Sequence, residues 1–408
     1  MSLPYFRENG WEPVILAVEA TSVEGLSDPL LADTVPADIT VHRVRALPAR
    51  LTRVVGLGNL AYRAWFQLSA AGARLLRGAR FDLVYFSTTQ FVVTVLGPRW
   101  RQQSGVPYII DIQDPWRTDY YERSRALRPP GGWKYRFAHW QATRLEERAW
   151  RDAAGFISVS TPYLAQLQAR YRWFAQKPAV VIPFGASEAD FDFVRAHNEI
   201  EPVFEREPGA LHLVSVGAIA SNMRGSLARL FAEVRALRTT GAATRLRFHF
   251  IGTSYAPEGR GMPVVAPLAA EFGIGDLVLE QPERVPYFVA LKTMLAADAI
   301  ILPGSDDLAY HPSKIATCFL AERPLLAIAR SGSALERTVR ELNFSVVACF
   351  PKPEGDETIL SFLRDLLAGR SASPANRASD LFRTAYTARA RTQQQCDFFS
   401  SALKSPPR

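Results

Sequence analysis

One lysine follows a predicted strand at a position that suits anion binding. Lys314 is one of only six lysines among 48 Lys and Arg residues, and it follows Tyr310, Pro312 and Ser313. The pattern predicts a helix over residues 313–322, with Pro312 in its first turn. A cation in the first turn opposes the helix dipole, and a bound anion reverses this cost. The spacing therefore indicates a phosphate site; a merely solvated lysine is the alternative.

Two other loops could bring further groups to this phosphate site. Gly217 follows a predicted strand, and its lack of a side chain permits close approach of a ligand to the backbone. Arg224 lies further along the same loop and could supply a second positive charge. Arg284 precedes a predicted helix that begins at Pro286, and it faces either the ligand or the solvent.

Polar residues also follow strands elsewhere in the chain. Ser333 and Glu336 come after a predicted strand. Two interpretations are open: the residues contact a sugar hydroxyl, or Ser333 only caps the next helix. Gln90 in the first half allows the same two interpretations. Asp114, which also follows a strand, is the candidate catalytic carboxylate because it could orient an acceptor hydroxyl. Capping of the next segment is its alternative.

The composition is that of an ordinary globular protein. The chain has 408 residues, 48% hydrophobic and 22% charged, which suits two domains of roughly 200 residues each. No stretch approaches the ~18 apolar residues of a membrane span, and the first ten residues lack the apolar core of a secretion signal. Three widely separated cysteines favour neither a disulfide framework nor a zinc site. We therefore expect a cytoplasmic protein.

The net charge of +8 has two interpretations. Arg-rich codon usage explains it without any function, whereas attraction to diphosphates or phospholipids gives it one. The basic residues are scattered and no aromatic-interleaved motif accompanies them, so nucleic acid is not expected as a partner. The predicted helix 133–152 combines aromatic and basic side chains, which either pack on the adjacent sheet or rest on a membrane surface.

Short apolar strands alternate with longer helical stretches along the whole chain. This alternation is typical of parallel sheets covered by helices, and a polar stretch at 197–209 separates two such series. The sequence thus predicts an α/β protein with two doubly wound, Rossmann-like domains. The predicted strands are 13–18, 39–44, 83–87, 108–112, 155–159, 179–183, 211–216, 246–251, 277–279, 299–302, 325–329 and 345–349. The predicted helices are 60–76, 133–152, 225–238, 286–296, 313–322, 334–342, 357–367 and about 375–403.

The first residues differ from the start of a doubly wound domain. Residues 3–10 read as the end of a helix and lead directly to the strand 13–18. Such domains normally begin with a strand and a glycine-rich turn before this helix. Either the start codon is assigned too late or the first strand has been lost, and we favour the first explanation.

Several of these segments together resemble the retaining glycosyltransferases of the GT-B fold, especially the large bacterial family 4. Residues 312–315, followed by 320–327, are similar to the family pattern SK-[IL]…LA-x-x-[KR]-P-[VL]-L-A. Four weaker similarities are those of 217–225 with the phosphate loop, 284–298 with the helix and strand before the donor loop, 181–185 with IPNG and 111–116 with D-x-R-D-x-W.

The resemblance implies two Rossmann-like domains that face each other across a cleft. These are an acceptor-side domain at 1–200 and a nucleotide-sugar-binding domain at 210–374, with a last helix at 375–408 that crosses back. It implies transfer of a hexosyl or other glycosyl group from a nucleotide diphosphate to a glycan or lipid-linked acceptor, with retention, in polysaccharide biosynthesis. No metal or cofactor is implied, and contact with the inner membrane is compatible with a lipid-linked acceptor. The implied donor-binding residues are Gly217, Arg224, Arg284, Tyr310, Pro312, Ser313 and Lys314.

Two positions depart from the family pattern. Thr317 and Ala309 stand where many members have glutamates that contact the donor. Two alternative functions therefore stay open: a non-catalytic protein that binds a nucleotide sugar or glycan within a biosynthetic assembly, and a sugar-nucleotide epimerase of the same fold. Donor-dependent turnover distinguishes the enzyme from the binding protein, and epimerisation without an acceptor identifies the epimerase.

Overall fold

The chain forms two units, each assembled from separate stretches of sequence. They are seen in a computed structural model that describes residues 2–404 except 24–27, 29, 32–33, 53–57, 118–131, 255, 257–258, 309, 311, 344 and 371–379. The first unit comprises Leu3–Val23, Pro36–Pro183 and Thr392–Arg408; the second comprises Met1–Ser2, Glu24–Val35 and Phe184–Arg391. The chain therefore passes between the units several times.

The first unit is an α/β structure whose strands lie in two separate parallel sheets. Strands β1 and β2 pair with each other, and a second sheet has the order β3-β4-β5-β6. The strands are β1 (Val14–Val18), β2 (Thr40–Val44), β3 (Val84–Ser87), β4 (Tyr108–Ile112), β5 (Gly155–Ser158) and β6 (Ala179–Val181). The helices are α1 (Ala49–Thr52), α2 (Leu60–Arg63), α3 (Trp65–Gly78), α4 (Leu96–Ser104), α5 (Gly132–Trp150) and α6 (Thr161–Arg170).

Helices and turns cover both faces of the four-stranded sheet. Side chains alternate between faces along a strand, so Ile110 and Ile109 of β4 belong to different cores. The Ile110 core includes Trp100 of α4, and the Ile109 core includes Phe399 near the end of the chain. Both central strands are buried throughout, as parallel strands with two covered faces must be.

The second unit contains one six-stranded parallel sheet with the order β12-β11-β10-β7-β8-β9. Its strands are β7 (Leu211–Val216), β8 (Leu246–Ile251), β9 (Val278–Gln281), β10 (Ala299–Pro303), β11 (Leu325–Arg330) and β12 (Val346–Phe350). Its helices are α7 (Glu188–Ala196), α8 (Arg224–Arg238), α9 (Val265–Glu271), α10 (Tyr287–Ala296), α11 (Ile315–Leu320), α12 (Ala334–Leu342), α13 (Thr358–Leu367) and α14 (Asp380–Ala385). The two parallel α/β units confirm the predicted fold class.

The last helical stretch differs from its prediction. Instead of one helix there are two, α14 and α15 (Ala388–Lys404), and the break lies at Thr387. Thr387 forms a parallel bridge with Ala186, whose amide donates to the carbonyl of Tyr386 at 3.1 Å. Because these backbone groups bond to another segment, they cannot continue the helix. The predicted helix 60–76 is likewise interrupted, at Ala64, and becomes α2 and α3.

Two aromatic residues of α5 do not pack on the sheet. Phe137 is 47% exposed and Trp140 is 54% exposed, whereas Trp150 of the same helix is buried. The two exposed rings stack on each other with their centroids 5.9 Å apart, and the guanidinium of Arg144 lies over Trp140. Packing on the sheet, the first interpretation of these aromatics, therefore applies to Trp150 but not to Phe137 or Trp140. Within the described part of the chain, no helix is long and apolar enough to cross a membrane.

The division between the units falls before the predicted linker at 197–209. It lies at Pro183 and Phe184, so α7 belongs to the second unit. The physical reason is that α7 packs on α10, where the rings of Phe193 and Phe288 lie 4.7 Å apart.

Candidate functional site

The strand order of the second sheet reverses between β10 and β7. From β7 the chain adds β8 and β9 on one side, and then returns to place β10, β11 and β12 on the other. The loops that follow β7 and β10 therefore diverge at this point, on the carboxyl edge of the sheet. A crevice at such a switch point is the usual ligand site of open α/β sheets.

Lys314 reaches this crevice and lies over Gly217, the first residue after β7. A Cβ atom on Gly217 would lie only 2.9 Å from Nζ of Lys314 and 3.2 Å from its Cε. Gly217 also has a φ of +106°, a backbone conformation that residues with side chains rarely adopt. Both observations explain why glycine occupies this position. The structure thus brings together the two residues that the sequence singled out in separate loops.

The ammonium group of Lys314 is in an unfavourable environment without a ligand. Burial, followed by the positive charge of Arg284, lowers the pKa of Lys314 to about 8, although Cys318 one turn later raises it in part. Desolvation and like charge both disfavour the protonated form. A bound anion would remove this penalty, because it supplies the missing opposite charge.

Gly252 brings the loop after β9 close to the loop after β7. A Cβ atom on Gly252 would lie 3.6 Å from Cα of Arg284 and 4.0 Å from Cα of Gly217. The amide of Gly217 donates to Ile251 at 2.7 Å, and the amide of Gly252 donates to Gln281 at 2.8 Å. The three loops thus continue the hydrogen bonding of the sheet, which positions Arg284 near Lys314.

The loop after β10 is fixed to the other side of the crevice. The hydroxyl of Ser226, which is fully buried, donates to the carbonyl of Gly304 at 2.8 Å. The amide of Asp306 donates to the carbonyl of Asn222 at 2.7 Å. Among the described residues, the buried Oδ1 of Asn222 and Oγ of Ser215 have no hydrogen-bond partner. These oxygens are available to a ligand or to water, as buried polar atoms require.

The helix after this loop begins later than predicted. It starts at Ile315, and Lys314 is its N-cap residue, whose carbonyl accepts the amide of Cys318 at 2.8 Å. Pro312 is buried and Ser313 is exposed in the turn before the helix. Tyr310 packs against the core of the unit, and its amide donates to Asp307. Lys314 therefore points into the crevice from the cap, rather than opposing the dipole from within the first turn.

Arg224 lies at the other end of its loop and faces a carboxylate. It is the first residue of α8, and its guanidinium bonds to Glu271 at 2.5 Å, with both side chains more than half exposed. Exposed ion pairs of this kind stabilise a fold little. The structure thus brings Gly217, Arg284 and Lys314 together and directs Arg224 toward α9.

Ser333 and Glu336 form hydrogen bonds with backbone amides at the N-terminus of α12. The hydroxyl of Ser333 accepts the amide of Glu336 at 3.2 Å, and the carboxylate of Glu336 accepts the amide of Gly332 at 2.7 Å. Glu336 also bonds to Arg340 at 2.9 Å. Glu336 thus bonds to the amide before the N-cap rather than to the N-cap amide of a capping box, and these bonds at the helix start account for both side chains in this structure.

Two other helix N-termini in this unit are occupied by protein carboxylates. Glu280 of β9 accepts the amides of Val264, Val265 and Ala266 at 2.8–3.0 Å, where α9 begins. Asp28 accepts the amide of Tyr287 at 2.6 Å, where α10 begins. The sequence analysis missed both carboxylates; Asp28 carries no local signal, since it is 259 residues away in the chain from its partner.

The first unit has a buried carboxylate at the carboxyl end of β4. Asp111 accepts hydrogen bonds from Nε2 of Gln113 at 2.8 Å, from the hydroxyl of Tyr85 at 3.0 Å and from that of Ser87 at 3.2 Å. Burial raises the pKa of Asp111, and the three donors lower it in part. Asp114, the predicted catalytic residue, is exposed in the following loop.

Gln90 lies near the same edge, after β3. Its amide donates to the hydroxyl of Thr88 at 3.0 Å, and its buried Oε1 has no partner among the described residues. Gln90 precedes the 3-10 turn Phe91–Val95 but makes no side-chain capping hydrogen bond there, so its side chain does not act as the predicted cap, and the sugar contact stays a prediction. No group of three metal-binding side chains occurs among the described residues.

Comparisons with known proteins agree with this architecture. Residues 4–185 match the family described as Glycosyl transferase 4-like domain. No curated protein matches the sequence. Similar solved structures include Anabaena HepE in complex with UDP, at 14% identity and a TM-score of 0.57, over 95% of this chain and 100% of that chain.

Two further structures are similar over almost the entire chain. A glycosyltransferase from Rickettsia africae has 13% identity and a TM-score of 0.56, over 99% of this chain and 93% of that chain. The sucrose-phosphate synthase of Thermosynechococcus elongatus has 13% identity and a TM-score of 0.57, over 95% and 98%. The chain thus has the GT-B fold, and the predicted resemblance to family 4 is confirmed over residues 4–185.

Proposed function

We propose that this GT-B chain, with its glycosyl transferase 4-like first unit, is a glycosyltransferase that uses a nucleotide-sugar donor. The donor diphosphate lies at the switch point of the second sheet, beside the loop of Gly217 and the ammonium group of Lys314. The observation that carries this proposal is the position of a half-buried ammonium group 2.9 Å from where a Cβ of Gly217 would be. An anion would stabilise such a cation, and the absence of a side chain on Gly217 leaves room for the lysine to reach the crevice.

The chemistry expected of this site is electrostatic. When the glycosidic bond to the diphosphate breaks, negative charge develops on the leaving oxygen. Lys314 and Arg284, which are fixed before the reaction, stabilise that charge without reorganisation. The orphan oxygens of Ser215 and Asn222 provide acceptors for hydroxyl groups of the donor. These groups together account for departure of a nucleoside diphosphate without a metal ion.

The acceptor is a glycan or a lipid-linked sugar that the first unit binds, as the family resemblance implies. Asp114 is exposed at the carboxyl side of β4 and is the candidate for orienting its hydroxyl. The exposed Phe137 and Trp140, with Arg144 beside them, provide a surface that a lipid-linked acceptor would bring to a membrane. Retention of configuration and a role in polysaccharide biosynthesis rest on the resemblance alone.

A second candidate function is binding of a nucleotide sugar without transfer. The observation in its favour is Thr317, half-buried in α11 one turn after Lys314, where the family pattern has a glutamate. A threonine hydroxyl can accept one hydrogen bond from a sugar but carries no charge. Binding and turnover therefore have to be measured separately.

Titration calorimetry with UDP, GDP and ADP tests the donor site, and release of nucleoside diphosphate from the corresponding sugars tests turnover. We expect Lys314→Ala to weaken binding of the preferred diphosphate by at least tenfold. Lys404→Ala, at an exposed position on the last helix, serves as the control and should bind normally. Unchanged affinity in Lys314→Ala would show that the diphosphate lies elsewhere. Tight binding without turnover, over a panel of acceptors, would favour the second candidate.

A further inference from the structure

The sheet of the first unit is interrupted between β1 and β3. β1 pairs only with β2, and β3 pairs only with β4, among the described residues. Each of these two pairs is parallel. In a doubly wound domain, the first strand lies in the middle of the sheet, between the second and the fourth strands. If β1, β2 and β3 are the second, third and fourth strands, the interruption lies where the first strand belongs.

A cavity of 440 Å³ occupies this interruption. Leu16 and Val18 of β1 line it on one side, and Val84 and Phe86 of β3 line it on the other. Leu68 of α3 also lines it. The lining is mostly apolar, which is typical of the inside of a sheet covered by helices on both faces, and Ser87, Thr88 and Gln90 add polar groups at one end of β3.

The two strands that flank the interruption are less buried than the central strands of the sheet. Every residue of β4 and β5 is buried, but no residue of β1 is, and only Phe86 of β3 is. Val14 is even 37% exposed. An apolar strand of a doubly wound sheet is normally covered on both edges, so β1 and β3 have the sequence of interior strands and the exposure of edge strands.

An extended peptide fits this cavity better than a lipid or another apolar ligand. Each flanking strand presents a row of backbone N–H and C=O groups that no described strand pairs with. A lipid would cover the apolar side chains but leave these groups unbonded, at a cost for each of them. A strand that runs parallel to β1 and β3 can form hydrogen bonds with the backbone groups of both strands. About five residues suffice, because β1 has five and β3 has four.

The position of the first described residues indicates where this strand comes from. α3 connects β2 to β3 on the face that carries Leu68 and Ile110. A connection from the cavity to β1 runs the opposite way along the sheet. Since both connections are right-handed, it must lie on the opposite face, and Leu3 and Phe6 do lie there, in the core that contains Ile109.

We propose that the cavity is the seat of a parallel strand, formed by residues that precede Met1 in the natural polypeptide. This strand joins the two sheets of the first unit into one sheet of seven strands, and Leu3–Asn9 is the end of the crossover that leads from it to β1. The loop after this strand then lies at the same edge of the sheet as Ser87 and Asp111. The proposal does not depend on the donor site of the second unit.

Hydrogen exchange measured by mass spectrometry tests this proposal. The reading frame is extended upstream of Met1 by the in-frame codons of the gene, and the extended protein is compared with the chain that begins at Met1. We expect amide exchange in β1 and β3 to slow by at least tenfold in the extended protein. Exchange in β10, which belongs to the other unit, serves as the internal control and should not change.

A second pair of measurements covers the case in which only the extended protein folds. A proline is placed in the middle of the upstream strand, where it removes a ladder hydrogen bond, and β1 and β3 should then exchange fast again. The apolar dye 1-anilinonaphthalene-8-sulfonate should bind to this variant more strongly than to the extended protein. An in-frame stop codon directly upstream of Met1 would overturn the proposal. Equal exchange in β1 and β3 with and without the intact upstream segment would also overturn it.

Discussion

Nζ of Lys314 lies 2.9 Å from the point that a Cβ atom of Gly217 would occupy. The side chain of the lysine and the missing side chain of the glycine thus compete for one space at the switch point. Any residue other than glycine at 217 must displace the ammonium group. The position of the cation is therefore fixed by a residue in another loop, and the first two predictions depend on this relationship.

We expect Gly217→Ala to lose most of its affinity for a nucleoside diphosphate, because the new methyl group displaces Lys314. The positive φ of +106° adds backbone strain, which costs about 1–3 kcal/mol of stability. Gly241→Ala is the matched control, since Gly241 also has a positive φ but no atom lies within 4 Å of where its Cβ would be. Both variants should melt at lower temperature, and only Gly217→Ala should fail in calorimetry. Normal binding by Gly217→Ala would contradict the assigned position of the diphosphate.

Diphosphate affinity should fall as the pH rises above about 8, the pKa of Lys314 in the free protein. Below this pH the lysine is charged and attracts the ligand; above it, binding must first take up a proton. The dissociation constant therefore increases by up to tenfold per pH unit until the pKa of the complex is reached. Calorimetry between pH 7 and 10 measures this slope. Lys314→Arg should bind with a flat profile, because arginine stays protonated throughout, and a slope in that variant would assign the titration to another group.

Stability should decrease when the pH falls from 6.5 toward 4, because of a buried histidine pair. Nδ1 of His212 lies 2.9 Å from Nε2 of His249, and both rings stack on Phe204. Burial and the neighbouring His212 lower the pKa of His249 to about 4. The unfolded chain, with an ordinary histidine pKa near 6.5, thus binds more protons in this interval, and unfolding is favoured as the pH falls.

Thermal melting between pH 7.5 and 4 measures the effect of the histidine pair. In His249→Gln the melting temperature should depend less on pH than in the wild type over the interval from 6.5 to 4. His42→Gln, at an exposed position on β2, should keep the dependence of the wild type. If His249→Gln keeps it too, the acid sensitivity comes from other groups.

The exposed aromatic pair of α5 should promote binding to anionic vesicles. Phe137 and Trp140 lie beside basic residues, and an amphipathic basic helix inserts its rings at the headgroup level. Co-sedimentation with phosphatidylglycerol vesicles should drop at least fivefold in the double variant Phe137→Ser and Trp140→Ser. Phe66→Ser is the control for non-specific adsorption to vesicles, because it removes a ring on α3 that is 74% exposed. Equal loss in both proteins would argue against a membrane surface on α5.

The sequence allowed the site to be located because parallel strands place their following loops on one edge. Gly217 and Lys314 each follow an apolar strand, so their proximity could be expected before any coordinates. The residue at which α11 begins could not be predicted, because a proline in the first turn of a helix and a proline before its cap have the same local sequence. The choice depends on Lys314 reaching across to Gly217, which is a tertiary contact.

Contacts between distant segments set the other limits of the prediction. The break at Thr387 exists because its backbone pairs with Ala186, and neither residue signals this locally. Asp28 caps α10 across 259 residues of chain. Phe137 and Trp140 have the spacing of core residues and are nevertheless exposed. These outcomes depend on contacts between segments that are far apart in the chain, and the local pattern does not encode such contacts.

The assembly of each unit from separate stretches limits how the gene can be recombined. A fragment from Phe184 to Arg391 contains the complete second sheet but lacks Asp28, so α10 would start with an unbonded amide. A single crossover near Pro183 with a relative of different donor preference would therefore combine an α10 from one parent with a cap from the other. Chimeras of this protein need at least two splice points, so that residues 28–35 are inherited together with α10.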